Sequence, residues 1–238
     1  MTATSDPREN QLIAGLSEAI FQRWAPNLVP VVMPLGRVLS QRGDNCPFVY
    51  FPTTAIASLL YVMDDGASAS IAIIGNEGMV GVSLLMGGDS PSSRTIVQSA
   101  GAGYRMDAEG FKKEFNRSSV VLHLFLRYTQ ALITQMAQTA VCNRHHSLDQ
   151  QLCRWLLLSL DRMRGNKLEM TQRLIAGMLG VRREGVAQAA QKLQDAGWIH
   201  YSRGHITVVN REELEKHSCE CYLTVKREYD RLLPKSRR

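Results

Sequence analysis

Between Arg182 and Gln191 the chain reads RREGVAQAAQ, and these side chains suit hydrogen bonding to the edges of bases. Arginine can grip a guanine with two parallel N–H donors, glutamate accepts from cytosine N4, and glutamine matches adenine. At helical spacing Arg183, Glu184, Ala187, Gln188 and Gln191 share one face, while Val186, Ala190 and Leu193 share the other. Arg182 and Arg183 stand where that helix begins. The backbone dipole is partly positive there, so two cations are unfavourable without an outside anion. A polyanion supplies one. Arg182 then reads as a phosphate contact, and Arg183 and Glu184 as base readers.

The elements around this stretch are those needed to present it. Thr171 is a good N-cap for QRLIAGML, and Gly180 is a left-handed stop. Ala176, small and midway along that helix, lets a second helix approach. The second helix runs from about Arg182 to Ala196 and stops at Gly197. WIHYSRGHITVVN follows as two short β runs around SRG, a hairpin. Two short helices with a tight turn, then a hairpin, make a winged helix-turn-helix, whose second helix enters the major groove of double-stranded DNA. The predicted DNA contacts are Thr171, Gln172, Arg182, Arg183, Glu184, Gln188 and Gln191, with Arg203 on the wing.

Charge points the same way. Residues 1–143 carry 10 Lys+Arg against 11 Asp+Glu, whereas residues 144–238 carry 18 against 11. The basic surplus therefore belongs to the C-terminal part, as for a neutral module joined to one that meets a polyanion. With 238 residues, 45% of them hydrophobic, the chain has the make-up of a soluble globular protein. No apolar run reaches the roughly 18 residues of a membrane span, and MTATSDPREN lacks the pattern of a signal peptide. A cytoplasmic location and no membrane partner are expected.

The rest of the chain divides in two. ENQLIAGLSEAIFQRW, residues 9–24, predicts one short helix ending before Pro26. From Val29 to about Met106, short β-rich runs alternate with turn residues, and Asp64-Asp65-Gly66 marks a hairpin. Many short strands at close spacing predict a sandwich or small barrel. Residues 107–116 predict a short helix, and 119–143 a long one without Gly or Pro. Along it Leu122, Leu126, Thr129, Ile133, Met136 and Ala140 step by 4, 3, 4, 3, 4. That is the heptad spacing of a helix meeting its copy, so these six are the predicted dimer interface. Val121, Phe125, Tyr128 and Leu132 form a second line that would cover the barrel. Ser147 and Gln150 predict a capping box for a helix over 148–163, and residues 211–233 look helical again.

A β-rich first half, a long heptad helix and LGVRREGV inside a helix-turn-helix together resemble the Crp/Fnr family of bacterial transcription regulators. The resemblance spans nearly the whole chain. It implies an α+β fold: a cyclic-nucleotide-binding-type β-roll over 1–116, a dimerisation helix and hinge over 117–146, and a winged helix-turn-helix over 147–238. It places Arg183 and Glu184 on the family's base-reading pair. Arg182, Gly185 and Gln188 depart from the family's usual small N-cap residue, threonine and arginine, which leaves the operator sequence open. A homodimer follows from the resemblance, with RNA polymerase as a partner for an activator and a small-molecule effector of unspecified identity.

The effector segment departs further. In cyclic-AMP-responsive members a glutamate holds the ribose hydroxyl and an arginine the cyclic phosphate. Here the matching stretch is MVGVSLLMGGDSPSSRTIV, with Gly81 fitting, Val82 in the glutamate's place and Arg94 one residue off the arginine's. Gly81, Val82, Arg94 and Thr95 are the candidate pocket residues, and cyclic AMP is not the expected ligand.

No cofactor and no metal are expected. Cys46, Cys142, Cys153, Cys219 and Cys221 are scattered, without the paired C-x2-C spacing typical of zinc sites, and Cys46 alone precedes the long helix. Cys219-Glu-Cys221 reads as a packed helix end or, less simply, a thiol switch. His145 and His146 read as polar surface at the hinge. No phosphate loop, nucleophile motif or ligand cluster marks an enzyme. The alternative reading is a ligand-sensing module acting through protein contacts, with incidental DNA binding.

Overall fold

The computed structural model describes residues 6–88, 90–163 and 165–234. Two short helices open the described chain, α1 (Gln11–Ala14) and α2 (Glu18–Trp24). The single helix expected over 9–24 is therefore broken. Asn10 caps α1 by accepting from the Leu12 and Ile13 N–H groups, and Ser17 takes an extended backbone (φ −63°, ψ 157°) and starts α2 afresh. The apolar spacing survives the break: Leu12, Ile13, Leu16, Ile20 and Trp24 are all buried.

Seven strands follow: β1 (Val29–Met33), β2 (Val38–Ser40), β3 (Phe48–Pro52), β4 (Ile56–Val62), β5 (Ser68–Ile74), β6 (Arg94–Ser99) and β7 (Gly101–Asp107). They make two antiparallel sheets, ordered β1-β7-β3 and β2-β6-β4-β5. The Asp64-Asp65-Gly66 turn joins β4 to β5, as the hairpin signal predicts, with Gly66 at φ 84°. α3 (Ala108–Arg117), capped by Asp107, leads into α4 (Ser119–His145), 27 residues long.

α4 closes the roll. Val121, Phe125 and Tyr128 are fully buried and Leu132 nearly so, so the second apolar line covers the barrel. Phe125 belongs to an aromatic cluster, stacked on Trp24 at 5.9 Å and edge-on to Phe111 at 5.4 Å. Phe51 joins them, so α2, β3, α3 and α4 share one knot. The heptad line lies mostly outward. Leu126, Ile133 and Ala140 are exposed, Leu122 and Met136 half-buried, and Thr129 buried with its hydroxyl donating to the Phe125 carbonyl.

The C-terminal part holds α5 (Leu148–Leu160), β8 (Lys167–Glu169), α6 (Gln172–Leu179), α7 (Arg183–Asp195), β9 (Ile199–Ser202), β10 (His205–Val208), α8 (Arg211–His217) and α9 (Glu220–Leu232). Ser147 and Gln150 do form a capping box on α5, which ends three residues sooner than its apolar pattern. The 164–167 break expected after α5 includes Arg164, which lies outside the described residues; Lys167 opens β8, a third strand beside the hairpin. The helix expected over 211–233 is two, parted at Ser218 and Cys219, both of which take extended backbone. α9 turns back to pack along α4, so the two parts of the chain interlock.

Their junction is polar and buried. Arg162, just past α5, donates to Glu77 Oε1 at 2.7 Å and to the Leu158 carbonyl at 2.8 Å, and lies over the Tyr229 ring. Gln135 of α4 donates to the Ile73 carbonyl and to the Tyr229 hydroxyl.

Candidate nucleic-acid interface

Thr171 caps α6 through its side chain, which accepts from Leu174 N–H, and α6 buries Ile175, Ala176, Met178 and Leu179. Gly180 then ends the helix at φ 67°. A Cβ on Gly180 would stand 3.1 Å from Ala69 Cβ, so the turn rests directly on the start of β5. α7 buries Val186, Ala189, Ala190 and Leu193 against this scaffold.

Gly185 lies toward α5: a Cβ there would stand 2.9 Å from Leu148 Cδ2, the far end of a half-buried side chain at the start of that helix.

The opposite face of α7 is open. Arg182, Arg183, Glu184, Gln188 and Gln191 are all exposed, and Ala187 is half-buried between them. Arg182 sits at the N-cap in extended conformation with no side-chain cap. Gln191 donates to Asp195 one turn on, at 2.7 Å. At the wing, β9 and β10 are joined by Arg203 and Gly204, with φ of 49° and 81°. Positive φ at both central residues is the geometry of a tight two-residue hairpin whose twist matches its strands. Arg203 is the sole non-glycine residue with positive φ among those described, and it is exposed at the wing tip.

Gln172, Ala187, Gln191, Gln194, Tyr201 and Arg203 surround a groove of about 350 Å³ between α7 and the wing. Its floor is braced by Tyr201, whose hydroxyl donates to the Met170 carbonyl and whose N–H donates to Gln194 Oε1. Burial pushes the Tyr201 phenol up, with the Gln172 backbone and the Arg183 charge opposing, so it stays neutral. Thr171 is exposed beside the wing, its Cγ2 within contact range of Gly204. Gln172, Gln191 and Arg203 thus meet at the groove with Thr171 beside them, while Arg182, Arg183, Glu184 and Gln188 are exposed at the start and along the outer side of α7.

Several cations on this half sit on carboxylates: Lys192 on Asp149, Arg211 on Asp161, Lys216 on Glu213, Lys226 on Asp230 and Arg231 on Glu228. Among the described residues Arg182, Arg183 and Arg203 form no ion pair.

The roll contains a second candidate site, a cavity of about 130 Å³. It is lined by Gly81, Val82 and Thr95 of the predicted set, together with Leu59, Ile71, Ile74, Met79, Leu132 and Met136. Arg94 is not on the lining. Thr95 pairs with Leu59 on β4 and faces inward, so strand alternation turns Arg94 the other way and puts Ser93 on the cavity side. No helix is long and apolar enough to cross a membrane among the described residues.

Residues 150–217 match the Crp-like helix-turn-helix domain. No curated protein matches the chain. Among solved structures, it is similar to a chain assigned to the crp/fnr family of transcriptional regulators in Eubacterium rectale (19% identity, TM-score 0.68, 88% of this chain and 98% of that one). It is also similar to FixK2 from Bradyrhizobium japonicum (16% identity, TM-score 0.67, 81% and 98%). A third is the c-di-GMP responsive global regulator CLP of Xanthomonas campestris (16% identity, TM-score 0.63, 81% and 99%). At these identities the likeness is one of fold, and it covers both halves of the chain.

Proposed function

From a chain that has a Crp/Fnr-type regulator fold and carries a Crp-like helix-turn-helix domain, we propose a dimeric, sequence-specific DNA-binding regulator of transcription. One observation carries the reading: the start of α7 and the wing tip present three exposed guanidiniums, Arg182, Arg183 and Arg203, with no carboxylate partner among the described residues. Arg183 and Glu184, in the first turn of α7, read base edges; Arg182 and Arg203 hold phosphates. Thr171 and Gln172 bring the start of α6 to the backbone beside them. Gln188 and Gln191 extend the reading along the groove.

Dimerisation uses the outward face of α4, where Leu126 is 46% and Ile133 51% exposed at heptad spacing. Paired on that face, two recognition helices would stand about one DNA turn apart on a near-palindromic site. The cavity in the roll suits a small apolar ligand. Its volume falls below the roughly 300 Å³ of ordinary small-molecule sites, and no arginine faces it to hold a cyclic phosphate.

Selection of binding sites from random duplexes by the full chain tests the reading. The expected result is a two-fold-symmetric motif whose binding weakens steeply with salt. Recovery of no preferred sequence overturns it and favours a sensor that signals through protein contacts. Ile133→Glu, followed by sedimentation, is expected to give monomers that no longer retain the full motif.

A further inference from the structure

Cys142, His146, Cys219 and Cys221 are far apart in sequence and adjacent in space. One donor atom from each lies within 4.8 Å of all the others. Cys142 and His146 stand one turn apart at the end of α4; Cys219 is the N-cap of α9, and Cys221 sits in its first turn. Cys142 Sγ is 3.5 Å from Cys219 Sγ, and Cys221 Sγ is 3.7 Å from His146 Nδ1. A tetrahedral zinc ion with bonds of about 2.3 Å to sulfur and 2.0–2.1 Å to nitrogen spaces its ligands by roughly 3.5–3.8 Å. We propose that these four residues bind one Zn2+ as a Cys3His site that ties the last helix to the end of the long helix, at the hinge between sensor and DNA reader.

Three further features fit an ion. His146 turns Nδ1 to the site while Nε2 lies 3.3 Å from the Glu220 carboxylate, so Nε2–H donates outward and frees Nδ1 to ligate. That carboxylate–histidine relay commonly orients zinc ligands. Three thiolates around Zn2+ leave one negative charge. Arg154 is 5% exposed, forms no ion pair among the described residues, and has a buried Nε with no hydrogen-bond partner. Its charge acts on both Cys142 and Cys221, and would balance the excess. Finally, Cys219 is the N-cap of α9, where the partly positive helix end favours a thiolate ligand. Donors this close enclose a single ion. Thiolate and imidazole ligands in a closed tetrahedron select zinc among the common metals.

Metal analysis of the full chain, purified with reductant, is expected to find about one zinc per chain. After the metal is removed, Co2+ is expected to give the absorption of tetrahedral cobalt with thiolate charge transfer, displaced by Zn2+. Cys219→Ser should abolish that spectrum, and Cys153→Ser, a buried cysteine outside the set, should leave it unchanged. Glu220→Gln alters an exposed side chain, so it reports even if core variants do not fold; it is expected to weaken zinc binding roughly tenfold. A wild-type chain with its thiols reduced and no thiolate–cobalt spectrum overturns the proposal. So does a Cys142–Cys219 disulfide in chain alkylated directly from cells, which would make the pair a redox couple. None of these readouts involves DNA, so the result stands apart from the DNA-binding reading.

Discussion

Arginine serves two regions of this molecule in opposite ways. At the junction between the halves, Arg162 is 5% exposed and fully engaged by Glu77, the Leu158 carbonyl and the Tyr229 ring. On the face proposed to read DNA, Arg182, Arg183 and Arg203 stand exposed, with no carboxylate partner among the described residues. The first arrangement uses charge to fix one geometry inside the fold. The second leaves charge available, and costs nothing in desolvation until a polyanion arrives. A buried guanidinium is thus evidence about architecture, and a free cluster of them is evidence about a partner.

The contrast is sharpest where one half of it is removed. Glu77→Gln strands Arg162 in the interior, and loss of one partner of a buried pair costs about 3–5 kcal/mol. Chemical denaturation should show that loss, while any protein that remains folded keeps its DNA sequence preference. Arg183→Ala should do the reverse. Specific binding falls by about 1–3 kcal/mol in a retardation assay, and folding stability moves by less than about 0.5 kcal/mol. If both variants lost stability alike, the two regions would not differ as described.

Gly185→Thr probes the boundary, because it adds a side chain facing Leu148 across from the exposed side of α7. The contact is with the movable end of a half-buried side chain, so thermal melting should show a loss of no more than about 1 kcal/mol, with no gain in DNA affinity. Smallest is Arg203→Gly. Relief of its positive φ should stabilise the fold by up to about 1 kcal/mol, while the salt dependence of DNA binding falls by about one phosphate contact. A variant that lost stability would place Arg203 among the structural arginines.

How far the sequence can be read follows the same division. The proposed reading face lies on one helix and one hairpin, so helical spacing, Thr171, Gly180 and the SRG turn made those elements legible. The second line on α4 was legible for the same reason: Val121, Phe125, Tyr128 and Leu132 repeat within one element. Errors came where neighbours in space decide. Continuous apolar spacing hid the break at Ser17 and the one at Ser218 and Cys219, because extended cap residues can interrupt a helix without breaking its buried stripe. Arg94 could be placed near the cavity by alignment, but its facing is set by the β4–β6 register. His146 looked like surface and is half-buried against Glu220 and Cys221. The four-residue cluster at the hinge left one faint signal, Cys142 and His146 four apart at the end of a helix. Its other half comes from residues more than seventy positions on.

One contact has a thermodynamic corollary. β5 lines the cavity with Ile71 and Ile74 and meets the helix-turn-helix at Ala69, next to Gly180. A molecule that entered the roll as proposed and displaced this strand would reach the helix-turn-helix within one element, without passing along α4. Linkage makes such a coupling run both ways: whatever factor the ligand applies to DNA affinity, DNA applies to ligand affinity. If both proposed sites are occupied and coupled, an operator fragment becomes a reagent for finding the ligand, since it changes that ligand's affinity by the same factor.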